Sequence, residues 1–212
     1  MRWPLTAKMA PLVMDDLNTD VIYPARFLLV LDREDLGNHA FADLREHPDF
    51  VLDAPEYAGA GILLTGRGFG SGSSREHAVW AVAGRGFSVV VALGFGDIFY
   101  RNCVENGLLP ITVDEPTLAK LAALAREGSP VTVDLENGMI RTAEGDIPFA
   151  VTSTDRERLL SGQSTIERVE AHAEARSAFC LYRRYPEASI GSRHGQGNPP
   201  IDSLVSGPDR GK

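Results

Sequence analysis

One stretch of the sequence combines the residue types needed to bind an anion and to activate a nucleophile. It runs from Gly66 to His77 and reads Gly-Arg-Gly-Phe-Gly-Ser-Gly-Ser-Ser-Arg-Glu-His. Glycine lets a backbone turn sharply and lets a ligand approach its peptide groups, and the start of a helix leaves amides unpaired. Arg75 adds a guanidinium that fits a carboxylate or a phosphate. The stretch therefore predicts an anion site. The backbone expected to contribute is that of Gly70, Ser71 and Gly72.

The glycine pattern does not match either of the common nucleotide-binding loops. A dinucleotide fingerprint needs a third glycine, but the chain has Ser71 or Ser73 at that position in the two possible registers. A phosphate-binding loop of the Walker A type needs a lysine after its last glycine, and this stretch has none. Both nucleotide interpretations fail, and a carboxylate ligand remains open.

A purely structural interpretation of the same residues is also possible. Ser73 and Glu76 have the spacing of a capping box, in which two side chains satisfy the first amides of a helix. Arg75 argues against it, because a cation in the first turn opposes the helix dipole by about 0.3–1 kcal/mol. A Ser73 hydroxyl that caps the helix cannot also face a substrate. If Ser73 is functional, we expect the helix to begin at Ser71 or Gly72.

Composition places limits on the partners of the chain. Its 212 residues include 29 acidic and 21 basic side chains, a balance that disfavours nucleic acid and anionic membranes as partners. No apolar run approaches the 18–20 or so residues that span a bilayer, and the first residues lack the apolar core of a signal peptide. The two cysteines, Cys103 and Cys180, are far apart in sequence. We expect a cytoplasmic protein without a disulfide framework or a metal site of its own.

The elements around the glycine-rich stretch alternate between strands and helices. The patterns predict strands near 11–14, 61–64, 87–93 and 108–113, and helices near 34–44, 78–83, 96–106 and 114–128. In the helix at 96–106, Ile98, Phe99 and Val104 are predicted to face inward. In the helix at 114–128, Asp114 is the expected cap. This order predicts a layered α/β core with parallel strands.

The alternation changes in the second half of the chain. Asn137-Gly138 predicts a β-hairpin between strands at 131–135 and 139–142, with a further strand at 147–151. A short helix is predicted at 154–160, followed by a helix from Ser164 to about Tyr182. From Ser189 the composition predicts a disordered tail. We therefore expect one domain with C-terminal helices over 1–188 and a tail over 189–212.

Several motifs in the same order carry a resemblance to a known family. They are the stretches 18–24 (Asn-Thr-Asp-Val-Ile-Tyr-Pro), 49–52, 66–78, 94–102 and 106–110. Together they resemble the swivel domain of the aconitase superfamily, and more narrowly the small subunits of 3-isopropylmalate dehydratases. The chain differs from that pattern at Gly68, Ser71 and Val79, where the family usually has Asn, Cys and Pro. The resemblance implies a layered β/β/α swivel fold that closes over a large subunit.

The resemblance also implies a reaction and residues for it. The implied activity is that of a hydro-lyase of leucine biosynthesis, which isomerises 2-isopropylmalate to 3-isopropylmalate by dehydration and rehydration. Carried over by position, Ser73 is the catalytic base, while Ser74 and Arg75 bind a substrate carboxylate. The loop Phe27-Leu28-Leu29 resembles the one that contacts the variable substituent of the substrate and is expected to do so here. Asp20 is expected near the site, without an assigned role.

The implied reaction needs an iron–sulfur cluster that this chain is not expected to hold. Such clusters are bound mainly by cysteine thiolates, and two distant cysteines cannot supply the three that the superfamily uses. We therefore expect a 4Fe–4S cluster on a partner large subunit, and an isolated chain without activity. Two alternatives stay open, a small subunit acting on another 2-hydroxy di- or tricarboxylate and a non-catalytic anion-binding domain.

Overall fold

A computed structural model describes residues 3–29, 35–72 and 75–162, which form two four-stranded sheets with helices packed on them. The strands are β1 (Leu5–Ala7), β2 (Met9–Leu12), β3 (Ile62–Thr65), β4 (Val89–Ala92), β5 (Leu109–Thr112), β6 (Val131–Asp134), β7 (Met139–Thr142) and β8 (Gly145–Pro148). The helices are α1 (Thr19–Ile22), α2 (Leu36–His39), α3 (Glu76–Gly84), α4 (Asp97–Glu105), α5 (Glu115–Arg126) and α6 (Ser153–Ser161). Short 3₁₀ turns connect several of them, including one at Ala25–Phe27.

The central sheet has the order β2-β3-β4-β5, and all its strands are parallel. Its strands are continuous apolar runs because both faces are covered. Successive side chains point to opposite faces, so Leu63 packs in one core cluster while Ile62 and Leu64 pack in the other. The predicted parallel α/β core is confirmed.

The second sheet has the order β1-β6-β7-β8 and is antiparallel. The predicted hairpin at Asn137-Gly138 joins β6 to β7, with Gly138 at a φ of 64°. The first strand pairs with β6 across most of the chain, a contact that no local pattern could indicate.

The two faces of the parallel sheet have different neighbours. One face packs on α1, α2, α3 and α4 through a cluster that includes Val82, Phe99 and Cys103. The other face packs on α5, α6 and the antiparallel sheet through a cluster that includes Leu121 and Val133. Sheet, sheet and helices thus form the expected β/β/α layers, with α5 lying on the side of the second sheet.

Several predicted details differ from the structure. Ile98 on α4 is 48% exposed instead of buried, because Phe99 and Cys103 form the inward face of that helix. The strand predicted at 11–14 ends at Leu12, and the helix predicted at 34–44 is a single turn at Leu36–His39. The strand predicted at 147–151 is displaced to Gly145–Pro148.

The C-terminal predictions are only partly covered by the structure. The helix expected at 154–160 is confirmed as α6, which is capped by Thr152 and ends at Gly162 in a left-handed conformation. The helix predicted from Ser164 to Tyr182 and the tail over 189–212 lie outside the described residues. Within the described ranges, none of the helices has the length and apolar character required to cross a bilayer.

Candidate active site

The glycine-rich loop is held along its length by the segment that precedes and forms α1. Backbone hydrogen bonds join Gly66 N to Met14 O (3.0 Å), Asp16 N to Arg67 O (2.7 Å), Gly70 N to Leu17 O (2.7 Å) and Thr19 N to Ser71 O (2.9 Å). The side chain of Asp15 also accepts from the amide of Arg67 at 2.7 Å. The acidic N-terminal motif is therefore the support of the loop.

Packing explains most of the glycines in this loop. A side chain at Gly66 would overlap Asp15, and one at Gly70 would overlap the ring of Phe99. Gly68, Gly70 and Gly72 also have positive φ values of 66°, 71° and 96°. The expected sharp turns are confirmed. The close approach at Gly66 and Gly70, however, is made by the protein itself and not by a ligand.

Helix α3 begins later than either sequence interpretation requires. Its first residue is Glu76, and its N-cap is Arg75, whose backbone is extended and whose side chain caps no amide. The N-cap position is therefore occupied by Arg75 and not by Ser73, and the expected start at Ser71 or Gly72 is also wrong. Arg75 lies just before the first turn of the helix.

The Arg75 guanidinium forms an ion pair with Asp20, in which Nη1 donates to Oδ1. The arginine is the more buried partner, with 22% of its side chain exposed against 54% for the aspartate. A carboxylate next to Arg75 offsets the unfavourable position of a cation at the start of a helix. The two residues lie 55 positions apart in sequence, and the structure brings them together.

Asp20 is fixed by the short helix that carries it. The side chain of Asn18 caps α1 and accepts from the amides of Asp20 and Val21, both at 3.0 Å. Thr19 is 1% exposed, and its hydroxyl has no hydrogen-bond partner among the described residues. A side chain added at Gly72 would meet that hydroxyl at 3.7 Å. Thr19 was not among the predicted site residues, since a threonine in a turn motif carries no distinctive signal.

The backbone amides predicted to bind an anion are not equally available. Gly70 N donates to Leu17 O, and Ser71 N donates to Gly68 O at 3.1 Å. Within the described part of the chain, no carbonyl accepts from the amide of Gly72 or from those of Glu76 and His77 in the first turn of α3. Amides without an acceptor among the described residues therefore lie on both sides of residues 73 and 74.

Residues Ser73 and Ser74 themselves lie outside the described residues. They join Gly72 to Arg75 in the chain. Both flanking residues belong to the arrangement above, Gly72 through the loop and Arg75 through its ion pair with Asp20. The predicted roles of the two serines remain predictions.

The predicted substrate loop is linked to the same place by aromatic side chains. Tyr23, fully buried at the end of α1, stacks on His77 of α3 with ring centroids 6.0 Å apart. Its hydroxyl donates to Phe27 O at 2.9 Å, and burial raises its pKa. Phe27 in turn stacks on His39 at 4.3 Å. Neither Tyr23 nor His77 was predicted as part of the site.

The three residues of that loop differ in exposure. Phe27 and Leu28 are partly buried against the core, whereas Leu29 is 90% exposed. A singly exposed leucine is common on protein surfaces and does not by itself mark a binding site. Leu29 is the most exposed of the three, and its predicted contact with the substrate stays a prediction.

The described residues do not fit an iron–sulfur cluster. Cys103 is completely buried on α4 among apolar side chains, and this burial raises its pKa well above the ordinary value of a thiol. A cluster needs accessible thiolates, which Cys103 cannot supply. In residues 3–29, 35–72 and 75–162, no three His, Cys, Asp or Glu side chains are grouped to hold a metal ion. Cys180 lies beyond these ranges.

Two concave regions of the surface lie away from this arrangement. One, of about 420 Å³, lies between α4 and α6 and is lined by Tyr100, Arg101, Glu105, Asp155 and Arg158, among others. The other, of about 310 Å³, lies beside Arg45 and Arg85. Neither includes a residue predicted to bind substrate.

Comparison with known proteins identifies the family. Residues 5–116 match the family model described as the aconitase C-terminal domain. The 3-isopropylmalate dehydratase small subunit of Herpetosiphon aurantiacus is 45% identical over 175 residues, which cover 82% of this chain and 89% of that protein. The corresponding protein of Bacillus cytotoxicus is 46% identical over 165 residues, covering 75% and 85%.

A solved structure agrees with this assignment. The 3-isopropylmalate dehydratase of Methanocaldococcus jannaschii superposes with a TM-score of 0.65 and 27% identity, covering 82% of this chain and 98% of that one. The layered sheets and the order of the motifs are therefore those of an aconitase-type swivel domain. The chain belongs to the family of 3-isopropylmalate dehydratase small subunits.

Proposed function

We propose that this chain is the small subunit of a cytoplasmic two-chain hydro-lyase of leucine biosynthesis that isomerises 2-isopropylmalate to 3-isopropylmalate. The observation that carries the proposal is Arg75, a largely buried cation at the start of α3 that one carboxylate engages at a single nitrogen. Such a group can bind a carboxylate of the substrate in bidentate fashion. Relatives with 45–46% identity carry the same name as the proposed enzyme.

The reaction needs a base, and Ser73 is the proposed one. The base removes a proton from the carbon next to a carboxylate while a hydroxide leaves the neighbouring carbon, and water then adds back with the opposite regiochemistry. A serine hydroxyl is a weak base until its alkoxide is stabilised. The amides of Gly72, Glu76 and His77, which have no acceptor among the described residues, and the charge of Arg75 are suited to provide that stabilisation.

The same set of donors suits the substrate's charge. Ser74 and Arg75 are proposed to bind the carboxylate next to the proton that is removed. Binding the carboxylate at the N-terminus of α3 also places its negative charge at the positive end of the helix dipole. Exposed Leu29 is the proposed contact for the isopropyl group.

The second half of the chemistry is proposed to belong to a partner. Departure of hydroxide requires a Lewis acid, and the described residues do not fit one, as Cys103 is buried. We propose that a large subunit holds a 4Fe–4S cluster and that the swivel domain docks over it. The exposed location of Leu29 and of Asp20 is consistent with a site completed by another chain.

Reconstitution tests this proposal. Two preparations are assayed, the purified chain alone and the chain mixed with a cluster-loaded large subunit. Each is given either 2-isopropylmalate or citrate as the substrate. We expect turnover of 2-isopropylmalate by the mixture only, and an isolated chain without bound iron. An isolated chain with the visible absorbance of a cluster, or a mixture that prefers citrate, contradicts the proposal. Failure of the mixture to act on any hydroxy acid would favour a non-catalytic anion-binding domain.

A further inference from the structure

The ion pair with Asp20 uses a small part of the hydrogen-bonding capacity of Arg75. A guanidinium carries five N–H donors in a planar fork. Only Nη1 meets an acceptor among the described residues, the Oδ1 atom of Asp20. The edge formed by Nε and Nη2 meets no acceptor among the described residues. The Arg75 side chain as a whole is 22% exposed. That edge has the geometry that a carboxylate binds with two oxygens.

The short helix that carries Asp20 is held by several hydrogen bonds. Asn18 holds the amides of Asp20 and Val21 at 3.0 Å, and the amide of Thr19 donates to Ser71 of the glycine loop at 2.9 Å. Both partners of the ion pair are therefore connected to the glycine loop. Asp20 is connected through the hydrogen bonds of α1, and Arg75 follows the loop directly in sequence. A long arginine side chain otherwise samples many rotamers and loses that freedom on binding.

From this geometry we infer that Asp20 is a positioning residue. Its contact at Nη1 fixes the rotation of the Arg75 side chain, so that the Nε–Nη2 edge is presented to the substrate carboxylate. Asp20 itself does not touch the substrate. This inference rests on the proposed function and assigns Asp20 a role that differs from direct binding.

The opposite role for Asp20 would be that of an internal competitor. A carboxylate near a binding arginine can occupy the place of the substrate carboxylate until it is displaced. A competitor would be expected to take the bidentate edge, which binds a carboxylate most strongly. The observed contact is at a single nitrogen, and Asp20 remains 54% exposed. The two roles predict opposite changes in substrate affinity when the charge of Asp20 is removed.

The test uses the reconstituted two-chain enzyme with Asp20→Asn and Asp20→Glu. Losing the charged partner should weaken the orientation of Arg75 and raise KM for 2-isopropylmalate about tenfold, the value of one charge-assisted hydrogen bond, with a smaller change in kcat. Asp20→Glu retains the charge and should restore part of the loss. Glu144→Gln is the matched control, since it removes an ion pair with Lys120 (3.3 Å) on the other side of the molecule and should leave KM unchanged.

A double-mutant cycle tests whether Asp20 acts through Arg75. In an Arg75→Lys enzyme, the planar edge is absent, and adding Asp20→Asn should raise KM by less than about twofold. If the wild-type enzyme is active and Asp20→Asn leaves KM unchanged or lowers it, the inference is overturned while the proposed function stands. A lowered KM would identify Asp20 as a competitor of the substrate. An equal effect of Asp20→Asn in both backgrounds also overturns it. A wild-type mixture without turnover overturns the proposed function, which is a separate result.

Discussion

Two ion pairs of this protein, each between an aspartate and an arginine, are buried in opposite ways. In the hairpin, the Asp134 side chain is 11% exposed and that of Arg141 is 53% exposed. At the glycine loop, Arg75 is 22% exposed and Asp20 is 54% exposed. The more buried partner is therefore the aspartate in the hairpin and the arginine at the glycine loop.

The buried partner also differs in how fully its hydrogen bonds are met. Asp134 accepts from the side chain of Asn137 at 2.8 Å, from its backbone amide at 3.0 Å and from Arg141 at 2.6 Å. Arg75 has one partner in the described part of the chain. The hydrogen-bonding capacity of the Asp134 carboxylate is thus largely used within the hairpin, as expected for a pair that stabilises the fold. Most of the donors of Arg75 have no acceptor among the described residues, as expected if the proposed substrate carboxylate binds there.

The largest expected effect of a change near the loop is on stability. In Gly70→Ala the new methyl group overlaps Phe99 and sits at a φ of 71°, so unfolding free energy should fall by about 2–5 kcal/mol. Gly107→Ala is the matched control. It has a similar φ of 76° but open space around the added methyl, and should lose only about 1–2 kcal/mol. Urea unfolding of the isolated chain measures both, and equal losses would contradict the packing role of Gly70.

Lysine substitutions at the two arginines should separate function from fold. Arg75→Lys keeps the charge but loses the planar fork, so kcat/KM of the reconstituted enzyme should fall about ten- to hundredfold. Arg141→Lys should leave kcat/KM unchanged within about twofold, because Arg141 is itself 53% exposed and belongs to the hairpin of the second sheet, away from the glycine loop. The comparison fails if both variants lose activity equally, or if neither does.

The smallest expected effect is a pH dependence that originates in the hairpin. Hydrogen bonds from the Asn137 side chain and backbone, followed by one from Arg141, lower the pKa of Asp134 to about 2. An unfolded aspartate has a pKa of about 3.9. Between these values the unfolded chain binds more protons, so stability should fall as the pH drops from about 4 to about 2. Asp134→Asn should make unfolding midpoints less dependent on pH in that window, and identical slopes would contradict this assignment.

The fold was predicted well where local patterns decide it. Apolar runs bounded by glycines indicated β3, β4 and β5, and Asp114 was recognised as the cap of α5, where it accepts from the amide of Thr117 at 3.0 Å. Contacts between distant segments were not predictable. Two such contacts are the pairing of β1 with β6 and the backbone hydrogen bonds between the glycine loop and residues 14–20. Both depend on packing that no local pattern encodes.

The candidate site was predicted in part for the same reason. The motif residues identified Arg75 and placed Asp20 near it, but not their ion pair, since the two are brought together only by α1 and the loop. Glycine spacing suggested a cradle for a ligand, whereas Asp15 and Phe99 fill the space at Gly66 and Gly70. A glycine pattern shows that something approaches the backbone closely, and it does not show what.

The central claim, that Ser73 is the base of a site built around Arg75, is tested most directly by Ser73→Ala in the reconstituted enzyme. Turnover of 2-isopropylmalate and thermal unfolding are measured together, with Ser88→Ala, a serine between α3 and β4, as the control. Loss of a general base should lower kcat by at least about 10²–10⁴-fold, while the melting temperature and assembly with the large subunit stay unchanged. A Ser73→Ala enzyme that turns over at the rate of the Ser88→Ala control would contradict the account.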